Sequence, residues 1–189
     1  MVRIATADDV PRLARSLARA FHDDPVATFS NPRDSSRERR MAFFFSGRLR
    51  TLLDEELVYC TEDGVGAALW APPDRWHVPP REALRTLRLV NARAPFLMVG
   101  FARMEKLHPR EPHFYLSTLG VAPEAQGRGL GSALMAPMLE RCDREGVPAY
   151  LESSKERNVA YYARHGFRVT KEMRFPRGPR LWLMWRDPR

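Results

Sequence analysis

The sequence predicts an α/β fold, a mixed sheet covered by helices on both faces, and three observations carry that reading. Strand-like apolar runs such as 65–71 and 181–186 are interleaved with stretches whose apolar residues recur at helical spacing. At 189 residues the chain suits a single domain, 1–189, large enough to bury a real core. No repeat, low-complexity tract or linker interrupts the order of elements.

Val2 to Thr6 reads as a strand. Thr6, followed three residues later by Asp9, then marks a helix start of the capping-box kind. Val10, Leu13, Leu17 and Phe21 recur at helical spacing with Arg12, Arg15 and Arg19 on the other side, and Asp23-Asp24-Pro25 ends that helix. A second helix is expected over 35–53, burying Met41, Phe44, Phe45, Leu49 and Leu52. Leu57 to Thr61 and Val65 to Ala71 are strands on either side of Glu62-Asp63-Gly64, a hairpin signal. Prolines 72, 73, 79 and 80 punctuate the next stretch. There Leu84, Leu87 and Val90, then Phe96, Val99 and Phe101, suggest one or two inserted helices. His113 to Val121 returns to strand, and a helix runs to about Glu145 before Gly146, which suits a left-handed cap. Ala149 to Ser153 is a strand, Asn158 to His165 a short helix closed by Gly166, and 167–175 and 181–186 a final strand pair.

Composition narrows the function classes. The net charge of +8 is carried almost wholly by arginine, with Lys106, Lys155 and Lys171 as the lysines. These charges are scattered rather than gathered into a stripe with interleaved aromatics, which argues against nucleic acid and for attraction of an anionic small molecule. The best apolar run, 94–102, is interrupted by Pro95 and far too short for a membrane span. The first residues lack a basic-then-apolar signal pattern. Cys60 and Cys142 are too few for a disulfide framework, and the five histidines show no ligand spacing. The expectation is a cytoplasmic protein with no membrane, nucleic-acid or metal partner, either monomer or homodimer.

The segment richest in chemistry is Gln126-Gly127-Arg128-Gly129-Leu130-Gly131, which follows the strand holding Leu119, Gly120 and Val121 and opens an apolar helix. Alternate glycines let a bulky anion approach the main chain, and the helix points its positive end at the same place. The dinucleotide spacing of Gly-x-Gly-x-x-Gly is absent, and no Gly-Lys-Ser/Thr follows as a nucleotide-binding P-loop requires. An ordinary glycine-rich turn is the bland alternative. The spacing Gln-x-x-Gly-x-Gly after a strand instead resembles the acyl-CoA pyrophosphate loop of the GNAT N-acetyltransferase family. Asn158 through Phe167, with Tyr162 four residues before Gly166, resembles a second element of the same family, one strand further on. The stretches 2–11, 150–154 and 178–182 are similar to one branch, the puromycin N-acetyltransferase-like proteins. The resemblance covers nearly the whole chain and fades over about 72–106.

That resemblance implies a mostly antiparallel central sheet, splayed between its fourth and fifth strands, with acetyl-CoA as acyl donor entering the gap. Leu119, Gly120 and Val121 would meet the pantetheine arm. Gln126, Gly127, Arg128, Gly129, Leu130, Gly131 and Ser132 would hold the pyrophosphate. Asn158 would bond the pantetheine, with Tyr161 beside it, and Lys155 and Arg157 are either 3′-phosphate partners or solvated charges. Tyr162 would be the acid that protonates the leaving thiolate, and Glu152 either the base or a structural carboxylate. The acceptor would be the primary amine of a small molecule, attacking directly in a ternary complex. Phe21, Asp23, Asp24, Phe44, Trp70, Trp76 and Tyr115 are candidates for its aromatic pocket and acidic rim. A protein lysine or N-terminal acetyltransferase, and a CoA-binding module without turnover, are the alternatives.

Overall fold

The computed structural model describes residues 1–77 and 92–189. A seven-stranded sheet runs in the order β1-β2-β3-β4-β5-β7-β6. Its strands are β1 (Val2–Ile4), β2 (Val58–Thr61), β3 (Gly66–Ala71), β4 (Phe114–Val121), β5 (Ala149–Ser153), β6 (Arg168–Arg174) and β7 (Arg180–Arg186). Every pairing is antiparallel except β4 with β5. The helices among the described residues are α1 (Val10–Ala20), α2 (Pro25–Ser30), α3 (Asp34–Leu53), α4 (Ala94–Leu107), α5 (Leu130–Glu145) and α6 (Arg157–Ala163).

Strand alternation sends neighbouring side chains to opposite faces. On one face α1 and α3 bury Leu13, Leu17, Phe45 and Leu49 against Val58, Cys60, Ala67 and Leu69. Further along that face, Tyr150, Leu183 and Trp185 gather with Phe175 under Val26 of α2 and Leu97 and Met104 of α4. On the other face α5 and α6 set Leu134, Met135, Met138 and Tyr162 over Ala68, Trp70, Leu116, Leu151 and Met184. Helices therefore cover both faces, as the pattern predicts. β3 is buried at every position, which explains its unbroken apolar run Gly-Ala-Ala-Leu-Trp-Ala.

The first turn is as expected: Asp9 accepts from the Thr6 amide at 2.8 Å and also receives both guanidinium nitrogens of Arg3 at 2.7 Å. The structure has one helix that the sequence pattern does not predict. Asp24-Pro25, taken as a stop signal for α1, also starts α2: the Asp24 carboxylate accepts from the amides of Val26 and Ala27, and Pro25 occupies a first-turn position where no amide is needed. Of the inserted stretch, Phe96, Val99 and Phe101 lie in α4, while Leu84, Leu87 and Val90 fall outside the described residues. Gly146 and Gly166 both have positive φ, as their reading as caps requires.

Candidate active site

The site begins where two strands part. β4 and β5 pair only at Phe114 with Ala149 and Tyr115 with Tyr150, so the rest of both strands diverges. β4 stays zipped to β3 on its other side, with a register shift that leaves Ser117 as an extra residue opposite Leu69 and Trp70. The Ala122 amide donates to the Val65 carbonyl, and antiparallel alternation then turns the main-chain groups of Gly120 toward β3. Those of Leu119 and Val121 turn the opposite way, into the gap. The Val121 carbonyl is met by the Gln126 side-chain amide at 2.9 Å.

Two of the three loop glycines need their special backbone. Gly127 and Gly129 have φ of +76° and +77°, and nothing lies within 4 Å of where a Cβ would stand. They leave bare amides facing open space at the N-terminus of α5, whose first N–H groups lack helical acceptors. Gly131 has a different reason: a Cβ there would lie 2.7 Å from the Tyr161 hydroxyl. The Ser132 hydroxyl is held by His165 Nε2 at 2.9 Å and approaches the Tyr161 hydroxyl at 3.4 Å, so its amide is what it offers the loop. Arg128 is exposed and Leu130 begins α5.

Several expected contacts sort differently. Gly120 is not a gap residue: a Cβ would lie 2.8 Å from Leu17 and 3.0 Å from Phe21, so its small size admits α1 against β4. Gln126 is committed to the Val121 carbonyl rather than turned outward. Lys155 and Arg157 both pair with Asp23. Burial pushes the Asp23 carboxyl up, but those two cations outweigh it and hold the group below its ordinary range. Asp23 is thus not an open acidic rim. Asp24 caps α2, bonds the Ser154 hydroxyl and is raised by burial. Phe21 and Phe44 pack on Phe45 in the core, and Trp70 is wholly buried. Asn158 sits half-buried in the first turn of α6.

Tyr162 points from α6 into the core on the sheet face that α5 covers. Burial raises its phenol, helped by Tyr161 and the Asp24 carboxylate, so it stays protonated and able to donate. Glu152 lies on the opposite face, two residues along β5 from Tyr150. Its side chain is 5% exposed and Oε1 has no hydrogen bond, while His108 Nδ1 stands 3.6 Å away. Burial, then the nearby Glu152 charge, push the Tyr115 and Tyr150 phenols well up. The thiols are not nucleophiles: burial raises Cys60 and pushes Cys142 up to about 12.

Residues that sequence reasoning missed complete this side. His108 stacks on Trp76 with ring centroids 3.6 Å apart and meets Tyr115 and Tyr150 edge-on. His113 Nε2 lies 3.0 Å from His108 Nε2. The signal was there: two histidines bracket a proline-containing turn (His108-Pro-Arg-Glu-Pro-His113) immediately before a strand. A search for metal spacing passes over it.

The model of the Acetyltransferase (GNAT) family matches residues 67–167. An N-acetyltransferase of Schizosaccharomyces pombe is 29% identical over 96% of this chain and 81% of its own length. The N-alpha-acetyltransferase RimI of Mycobacterium tuberculosis is 35% identical over 64% of this chain and 81% of its own. A structure described as histone acetyltransferase HPA2 and related acetyltransferase, from Corynebacterium glutamicum, superposes with a TM-score of 0.71 at 26% identity, covering 100% of this chain and 96% of that one.

Proposed function

Because the chain belongs to the GNAT acetyltransferase family, we propose that it carries an acetyl group from acetyl-CoA to the primary amine of a small molecule, by direct attack in a ternary complex. The pyrophosphate rests on the amides of 127–132, with Arg128 closing over it. The pantetheine pairs with the outward main-chain groups of Leu119 and the Val121 amide as an added strand, and with Asn158. Glu152 takes a proton from the ammonium, the freed amine attacks the thioester carbon, and Tyr162 protonates the departing thiolate. Each proton transfer typically contributes about 10²–10⁴ in rate.

The observation that carries this reading is Glu152, a carboxylate almost fully out of water with an unpartnered oxygen. A buried charge of that kind calls for a cation or a proton. Tyr115 and Tyr150 bring their phenols, and His108 its ring, to this carboxylate, an aromatic setting that suits a compact amine. The similarity of 2–11, 150–154 and 178–182 to puromycin N-acetyltransferase-like proteins adds aminoacyl-nucleoside amines to that class. The RimI relative favours a second reading, transfer to protein N-termini.

The test is thiol release from acetyl-CoA against small amines, polyamines, puromycin and short peptides. A small amine is expected to exceed every peptide in kcat/KM by at least about tenfold, a difference of about 1.4 kcal/mol in transition-state binding. Peptides turned over best would overturn the small-molecule reading.

A further inference from the structure

We propose that His108 and His113 act through Glu152 as a two-ring proton sink, taking the acceptor's proton from the gap toward a separate cleft on the far side of His108. The proposal rests on Glu152 being the base. Its own support is the order of hydrogen bonds along the array. His113 Nδ1 lies 2.6 Å from the Glu111 main-chain carbonyl, which can only accept, so Nδ1 carries a hydrogen. Burial holds the His113 pKa below its ordinary value, and a neutral ring with Nδ1–H has a lone pair at Nε2. His108 Nε2, 3.0 Å away, must therefore be the donor of that pair. A neutral His108 then has its lone pair at Nδ1, facing Glu152 Oε1 across 3.6 Å.

One peptide carbonyl thus fixes the tautomers of both rings and leaves two acceptors facing each other. Oε1 and Nδ1 are one proton short. A proton from the ammonium fills that position, leaving a neutral amine whose lone pair forms the N–C bond as the C–S bond breaks. Of the three ammonium hydrogens, one enters the array, one ends on the thiol by way of Tyr162, and one stays on the amide. The array's proton then leaves as solvent exchange at the cleft restores the starting tautomers.

That cleft holds about 360 Å³, room for water, and both rings line it. Trp76 stacks on His108 and lines the same cleft. The charged groups around the array are mixed in sign. Asp74 and His77 come from the segment after β3, and Glu105 and Lys106 from α4. Arg110 and Glu111 come from the turn after α4. Arg48 of α3 acts on Tyr115, and Tyr150 and Glu152 come from β5.

The experiment combines NMR with pH profiles. In ¹⁵N-histidine spectra of the free protein, His113 is expected as the Nδ1–H tautomer and His108 as Nε2–H; the reverse pattern overturns the array without any acceptor present. His108→Phe keeps a ring on Trp76 but no nitrogen. With puromycin, or whichever panel amine is turned over, H108F is expected to move the acidic limb of kcat/KM upward in pH toward the amine's own pKa. Its deficit, about 10²-fold at neutral pH, should shrink as pH rises, with the KM for acetyl-CoA unchanged. A purely structural role would lower the profile equally at every pH, and that result overturns the proposal. The double variant H108F/E152Q is expected to be no slower than E152Q. E152Q matching wild type would overturn the base reading and the array with it. A shifted E152Q beside an unshifted H108F would overturn the array alone.

Discussion

At the residue scale, the proposed chemistry divides between a phenol and a carboxylate, and burial acts on the phenol in a useful direction. Removing a phenol from water penalises its anion, so Tyr162 keeps its proton and can still donate a hydrogen bond to sulfur charge developing beside it. Tyr162→Phe is accordingly expected to lower kcat by about 10²-fold or more while the KM for acetyl-CoA barely moves, measured by thiol release. Unchanged turnover would remove Tyr162 from the chemistry. The adjacent Tyr161 does another job, filling the space that Gly131 leaves. Telling the two tyrosines apart from sequence rests on the four-residue spacing of Tyr162 to Gly166; what each ring touches depends on the helix rotation, which spacing alone does not give.

At the element scale, the glycine loop and the helix it opens were legible because backbone demands write themselves into residue type. Gly127 and Gly129 are needed for positive φ, a constraint local to the chain. Gly120 and Gly131 looked like part of the same signal, yet their reasons are long-range, one admitting α1 and the other admitting Tyr161. No sequence window contains those partners. Gly129→Val puts a β-branched residue at φ +77° and fills open space before the α5 amides. Titration calorimetry with CoA is expected to show affinity lost by at least about tenfold, with the thermal unfolding curve still cooperative. Tight binding by that variant would refute the phosphate cradle. Helix α2, which the sequence pattern does not predict, has a similar lesson: Asp-Pro is both a stop and a start, and only the neighbouring amides decide.

At the scale of the whole molecule, two ion pairs, each with one buried partner, tie strands of the sheet to its helices. Arg186 forks onto Asp143 of α5, joining β7 to the opposite layer, and Arg3 forks onto Asp9, joining β1 to the start of α1. The Arg3 hydrogen bonds hold the Asp9 carboxyl far below its ordinary range. A group depressed on folding contributes stability above its unfolded pKa, about 3.9, and loses it as pH falls toward the folded value. Asp9→Asn is expected to lower the unfolding free energy by about 1–3 kcal/mol at neutral pH, with the gap from wild type closing below about pH 4. Urea melts at several pH values check this; a constant difference would mean the carboxylate charge is not involved. The mostly antiparallel sheet and the parting of β4 from β5 follow from the family resemblance, whereas the proposed proton array required three dimensions. His108, His113 and Glu152 come from a turn, a strand entry and a different strand, and only the sheet brings them into line.

The loop of bare amides and Tyr162 stand on one face of the sheet, Glu152 and its histidines on the other. In the proposed reaction donor and acceptor therefore arrive from opposite directions, and neither has to pass the other's doorway. A molecule that covalently joins the two would have to be threaded through a slot from one side, and so should associate slowly even where it holds on firmly once seated.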